Sequence, residues 1–237
     1  MAELYLGKIR LLCVFLAIEQ QKHMEIIERK LNLLRKKIVR ASFFAKACHI
    51  GSALSCVELL QDIFSKMKKG DKFLFSKASG ACAFYVMLGH SGKKLVEYLK
   101  KYPLSSKEVP GVLHSVGSLG HGLPVAVGLA LSNRKRDVYV LMSDGELQSG
   151  TSWECLLFIK QHHITNLKIY VDANGLQACG AIKDILDLPY RFLKKNGFKI
   201  IKTIKGKGVD FMENKVEWHY KNLDGNLFEK AIFQLSD

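Results

Sequence analysis

Between Asp137 and Ile204 the chain repeats one pattern: a short apolar run, a polar turn, then a longer segment with helical spacing. The runs DVYVLM (137–142), LKIYV (167–171) and a third over 198–204 are separated by helical segments near 151–163 and 186–196. Such alternation predicts a layered α/β fold around a mostly parallel sheet with helices on both faces. It also constrains function. Loops after successive parallel strands leave at one carboxyl edge, where open α/β sheets bind ligands. Asp144, after the first run, and Asn174, after the second, are therefore expected to meet in space. A carboxylate, an amide oxygen and a nearby backbone carbonyl form a hard oxygen set, suited to Mg²⁺ or Ca²⁺ and unsuited to zinc. Asp-Gly and Asn-Gly are also ordinary turn pairs, so turn chemistry alone does not fix a metal site.

Upstream, residues 21–47 carry apolar positions at three- and four-residue steps and read as a helix. HIGSALS interrupts it, and CVELLQDIFSKM resumes helical spacing, with Ser55 as the expected cap. KFLFSKASG reads as a short strand and its loop; ACAFYVMLGH and KKLVEYLKKY read as helices. The segment VGSLGHGLPVAVGLAL places Gly117, Gly120 and Gly122 before a small-residue helix, where exposed backbone N–H groups suit an anionic ligand. The tail ends in another amphipathic helix. Residues 1–20 are expected to be an N-terminal extension, an extra helix, and 21–237 a single domain.

A net charge of +14 over 237 residues calls for an anionic partner: nucleic acid, a membrane surface or phosphorylated metabolites. The cations are mostly Lys, spread along the whole chain, and no nucleic-acid-binding motif accompanies them. A solvated Lys-rich surface is expected, and no nucleic-acid partner. Six cysteines without a Cys-x-x-Cys pair form neither a disulfide framework nor a zinc pattern. They suit a reducing compartment, and a cytoplasmic location is expected. The run LLCVFLAI is too short to span a bilayer and lacks a following cleavage site, so no membrane association is expected.

PGVLHSVGSLGHGLPVAVGLAL, SDGELQSGTSWE, NLKIYVDANGLQACG and IKGKGVDFMENKVEWH occur in that order. Together they resemble the N-terminal, diphosphate-binding half of transketolase, and more specifically the short N-terminal subunit of transketolases split into two chains. The resemblance runs from about Leu31 to about Leu235. It implies a thiamine-diphosphate-binding fold and transfer of two-carbon ketol units between sugar phosphates or related sugars. By resemblance, Asp144, the Asn174 side chain and the Leu176 carbonyl would bind Mg²⁺ or Ca²⁺. Backbone N–H groups of Gly145 and Glu146 would approach the diphosphate, and Gly117 and Leu119 would line the aminopyrimidine side. His121 would be cofactor-proximal, and Glu154 would belong to an interfacial network that tunes the cofactor. His49 and His219 match the first and last active-site histidines, the groups expected to transfer protons.

The chain departs from this pattern at several points. The expected Ser-Lys-Gly-His-Ala reads Ser76-Lys77-Ala78-Ser79-Gly80, so a second histidine is replaced by Ser79. LKKYPLSSKEV stands where a Gly-His-Pro segment is expected. Pro is missing from the first histidine loop, Ser149 replaces an acidic residue, and Ser143 replaces a glycine. Before Lys205 a βα unit of roughly thirty residues is missing, so the sheet is expected to lose a strand and its covering helix. No segment resembles the pyrimidine-binding domain that carries the activating glutamate, which implies a separate partner subunit in a two-fold assembly. The alternative reading is a catalytically impaired binding or scaffold protein that has lost active-site histidines.

Overall fold

The computed structural model of the chain describes the backbone of residues 2–236 and the side chains of residues 16 and 18–236. The run 11–18 thus falls almost wholly outside the described side chains. Helix α1 (Ala2–Ala45) is continuous over 44 residues, without a break where the extension was expected to meet the domain. The segment contains no proline and only one glycine, Gly7, so nothing in its backbone chemistry ends the helix. It is followed by α2 (Ile50–Ser55), α3 (Val57–Lys66) and strand β1 (Lys72–Phe75). Next come α4 (Ala81–Met87), α5 (Gly92–Lys101), α6 (Gly122–Ser132), β2 (Val138–Ser143) and α7 (Gly150–Gln161). β3 (Leu167–Ala173), α8 (Tyr190–Lys195), β4 (Phe198–Lys202) and α9 (Gly225–Gln234) complete the order.

The four strands form one parallel sheet in the order β1-β2-β3-β4. Alternate side chains point to opposite faces. Phe73, Phe75, Tyr139, Leu141 and Tyr170 enter the core beneath α1–α5 and α9. Leu74, Val140, Met142, Ile169, Val171 and Ile200 enter the core beneath α6, α7 and α8. The expected doubly covered parallel sheet is therefore what forms. β4 is an edge strand, and its side chains on the first face are bare: Ile201 is 41% exposed. Lys199 lies across Tyr170, its Nζ 4.6 Å from the ring centroid and 3.1 Å from the hydroxyl. Lysines on an edge strand, one of them leaning over the open face, blunt it against further pairing.

The expected cap at Ser55 does not form. HIGSALS is itself helical, Cys56 occupies the N-cap of α3 without a side-chain bond, and Ser55 is buried. Its hydroxyl donates to Asp172 Oδ2 at 2.6 Å and accepts from Lys77 Nζ at 2.8 Å. The buried ammonium of Lys77 also donates to the Ser52 carbonyl at 2.9 Å and forms an ion pair with Asp172. Asp172 accepts a further bond from Thr203 Oγ1. This network fastens α2, the loop after β1, the end of β3 and the loop after β4 under one edge of the sheet. Burial works against the Lys77 charge, but the Asp172 carboxylate outweighs it and raises the lysine above its ordinary pKa.

Removing one member of such a pair leaves an uncompensated buried charge. Lys77→Ala should cost about 3–5 kcal/mol in urea unfolding. The double variant Lys77→Met/Asp172→Leu should recover much of that loss. Unfolding midpoints that agree between wild type and Lys77→Ala would show that the pair does not hold the strand ends.

Candidate functional site

At the carboxyl edge of the sheet a cavity of about 360 Å³ opens between the loops after β1, β2 and β3, the start of α2 and the His219 turn. The two polar turns read from the sequence meet here. Asp144 Oδ2 accepts from the Gly175 N–H at 2.6 Å, and Oδ1 accepts from the Gly145 N–H at 2.9 Å. Asn174 Oδ1 accepts from the Leu176 N–H at 3.0 Å, which folds the loop into a tight turn. Asp144, Gly145, Asn174 and Leu176 all line the cavity. Burial pushes the Asp144 carboxyl up to about 6 despite the two N–H bonds, as for an anion poised to gain a counter-charge.

Ser143, in the place of the expected glycine, closes a capping box with Glu146. Glu146 Oε2 accepts from the Ser143 N–H at 2.7 Å and its hydroxyl at 2.9 Å, while Oε1 accepts from Ser76 Oγ. The Glu146 side chain is thereby turned into the protein. Of the loop glycines, Gly117 lines the cavity. Gly122 serves packing: a Cβ there would lie 2.2 Å from Ser76 Oγ and 2.8 Å from Ser76 Cα. Only a residue without a side chain lets α6 start against the end of β1.

Two imidazoles stand on the cavity wall. His49 adopts a left-handed backbone (φ 67°) before α2, rare for a residue with a side chain. Its N–H donates to the His219 carbonyl at 2.9 Å, and the two rings meet edge to face at 4.8 Å. His49 Nδ1 is buried and without a hydrogen-bond partner. His219 Nδ1 lies 3.0 Å from Lys205 Nζ, so with the lysine charged the ring nitrogen accepts and its proton sits on Nε2. Burial, the Lys205 charge and His49 hold His219 down to about 3. Burial and Lys205 likewise lower His49. Lys205 is itself lowered to about 8 by burial and by Lys77. Both imidazoles are thus neutral at physiological pH, one with an unused nitrogen.

Leu119 is exposed and lines the cavity. His121 is exposed at the start of α6 and is not among the lining residues. Its helix start directs it to solvent, away from the expected position beside the cavity. Glu154 lies on α7 in a separate groove with Pro124, Leu131 and Phe158. Ser79 lines the cavity where a histidine is expected, and Leu104 lines it from the segment lacking Gly-His-Pro. Lys77, Lys205, Asp172, Ser52 and Tyr220 were not singled out as site residues. A lysine two residues past an apolar strand was the available signal for Lys77. Lys205, Ser52 and Tyr220 carry no local signal.

Among the described residues no group of three or more His, Cys, Asp or Glu side chains is placed to hold a metal. A cation here would take one carboxylate, an amide oxygen and a carbonyl, with the rest from a bound anion. The oxygen set on two adjoining loops and the unpartnered His49 nitrogen both suit an anionic, metal-assisted cofactor. The electrostatics of the wall can be checked directly. Lys205→Met should raise the His219 pKa from about 3, incompletely, because burial is the larger cause. Imidazole proton chemical shifts against pH would measure it, and an unmoved titration would refute the contact.

The family model described as 1-deoxy-D-xylulose-5-phosphate synthase matches residues 17–235. One of the subunits of the apulose-4-phosphate transketolase of Actinobacillus succinogenes is 33% identical, over 89% of this chain and 96% of that one. Its counterpart from Phocaeicola vulgatus is 30% identical, over 90% of this chain and 95% of that one. Human transketolase is 25% identical over 92% of this chain, which corresponds to 43% of the longer protein. The crystal structure of Campylobacter jejuni transketolase superposes with a TM-score of 0.75 at 21% identity, covering 89% of this chain and 43% of that one. The chain therefore belongs to the family that this synthase model describes, and its relatives at 33% and 30% identity place it among the transketolases, as an N-terminal subunit of the split type.

Proposed function

We propose that this chain is the cofactor-binding subunit of a two-chain transketolase that moves two-carbon ketol units between sugar phosphates or related sugars. One observation carries the reading: the Asp144 carboxylate bridges to Gly175, which joins the two polar turns at one cavity. Thiamine diphosphate is the cofactor of the family, and when bound it supplies the nucleophilic carbon and the electron sink for breaking a carbon–carbon bond. Asp144, Asn174 and the Leu176 carbonyl would hold Mg²⁺ or Ca²⁺ against its diphosphate. Gly145 N–H is already bonded to Asp144 Oδ1, so its approach to a phosphate would require that bond to be exchanged.

Proton handling falls to His49 and His219, the two imidazoles lining the cavity among the described residues. In its neutral form the His219 ring presents Nε2–H as a hydrogen-bond donor, whereas neutral His49 keeps one ring nitrogen free to accept a proton from a sugar hydroxyl and return it. Lys205 orients the His219 ring and keeps its Nε2–H directed away from the lysine. The exposed wall at Leu119 and Tyr220 is where a pyrimidine-domain partner subunit would close the site. Both split-type relatives are, by name, single subunits of their enzymes, which supports such a partner, and a two-fold assembly is the expected symmetry. Free Cys48, Cys56, Cys82, Cys155 and Cys179 support a reducing, cytoplasmic setting.

Asp144→Ala should abolish Mg²⁺-dependent binding of thiamine diphosphate in titration calorimetry, because the diphosphate charge is left without its cation. The isolated chain should transfer no ketol units. Activity should appear on mixing with a pyrimidine-domain subunit and fall about a hundredfold or more in His49→Ala or His219→Ala. Robust turnover by the chain alone would overturn the two-subunit reading.

A pH dependence follows from Asp144. Its folded pKa is raised to about 6 from 3.8, so the proton competes with the cation below about pH 6. Mg²⁺ affinity should therefore hold steady above that value and fall as pH drops through it. The raised pKa also makes the metal-free fold less stable as pH rises from about 4 through 6, where the buried carboxylate ionises. Calorimetric titrations at a series of pH values test the first effect and urea midpoints the second.

A further inference from the structure

Away from the cavity, α1 carries an exposed stripe that nothing among the described residues covers. Ile26, Lys30, Leu33, Lys37, Arg40 and Phe44 follow one another at alternating steps of four and three residues, the spacing of a helix–helix seam. All six are exposed; Ile26 is 52%, Leu33 58% and Phe44 58% exposed. From Ile26 to Phe44 the stripe is about 27 Å long at 1.5 Å per residue. Its carboxyl-terminal half forms one wall of a groove of about 740 Å³, and α5 forms the other. Ala41, Leu95 and Val96 make an apolar floor, and Lys37, Arg40, Lys93 and Lys100 stand on the rims with Glu97 the single carboxylate.

Neither Lys30 nor any of the four rim cations lies within ion-pairing distance of a carboxylate among the described residues. The groove shares no residue with the cofactor cavity. Apolar side chains at seam spacing alone would suit any helix. The three unpaired cations within the seam select one kind. A second copy of this chain would bring cation against cation, because the stripe holds no carboxylate.

We propose that this stripe and groove dock an acidic amphipathic helix of a partner protein. Its apolar side chains would enter beside Ile26, Leu33 and Phe44, and its carboxylates would meet Lys30, Lys37 and Arg40. Helix-in-groove recognition works this way, with anchors one and two turns apart and charges setting orientation. The surface does not depend on what the cavity binds.

The probe is a fluorescein-labelled peptide of about 21 residues, three heptads with Leu at the seam positions and Glu elsewhere. Anisotropy at about 0.15 M salt, where loose surface attraction is screened, should show saturable binding. The triple variant Lys30→Glu/Lys37→Glu/Arg40→Glu should weaken it by about tenfold or more. Lys194→Glu/Lys195→Glu/Lys202→Glu, with the same change in net charge on another face, should leave it unchanged. Ile26→Asp/Leu33→Asp retains every cation and should also weaken binding; both positions are solvent-exposed, and circular dichroism would check that the fold is retained. Equal loss in the two triple variants would reduce the effect to net charge and overturn the proposal. So would the absence of saturable binding, or indifference to Ile26→Asp/Leu33→Asp. Concentration-dependent self-association that the stripe triple abolishes would assign the surface to a second copy instead.

Discussion

The Lys77–Asp172 ion pair is the constraint on which the site's geometry rests. Both groups are fully enclosed, and each is satisfied by neighbours from a different part of the chain. Asp172 lies near the end of β3, two residues before Asn174, and Lys77 follows β1 by two residues. Ser55 and the Ser52 carbonyl bring in α2, which follows directly on His49. Thr203 brings in the loop that leads to Lys205. A shift in any of these segments would strand a buried charge, so the pair fixes the relative positions of the Asn174 loop and both histidines.

Charge in the cavity is arranged with the same economy of partners. Lys77 is paired, whereas Lys205 contacts His219 and forms no ion pair among the described residues. Burial first, and the Lys205 ammonium second, keep both rings neutral. Ser79 and Leu104 line the wall where the family pattern has histidines, so the imidazoles on this wall among the described residues are one edge-to-face pair. That pair depends on the left-handed backbone of His49 and its bond to the His219 carbonyl. Strained backbone of this kind persists only where its surroundings over-determine it.

The edge of the sheet at β4 is partly covered by a side chain of its own. With β4 as an edge, Ile201 and Lys199 lie on an open face. Lys199 compensates by lying over Tyr170, trading an apolar cover for a cation–π contact. At the other end of the molecule Arg35 is buried on α1 and pairs with Glu28 and Glu58, and Glu58 also meets Lys207. The long helix is thereby fastened to α3 and to the Lys205 loop through one face, which leaves its other face free for contact.

The periodicity of the sequence by itself determined the layered parallel sheet and the meeting of Asp144 with Asn174. Both follow from local rules: strands alternating with helices force one handed crossover, and successive loops then share an edge. The resemblance carried by the motifs also placed Gly117, Leu119, His49 and His219 around one cavity. Only the tertiary structure decided the rest. Ser55 reads locally as a cap, yet a buried carboxylate more than a hundred residues away claims its hydroxyl. Lys77 and Lys205 look like two more members of a Lys-rich surface, yet each is enclosed and one titrates near 8. His121 sits in a glycine loop beside the cavity segment, but the turn into α6 leaves it in solvent. Whether a polar side chain is solvated, paired or poised depends on groups distant in sequence, and no local pattern encodes that distance.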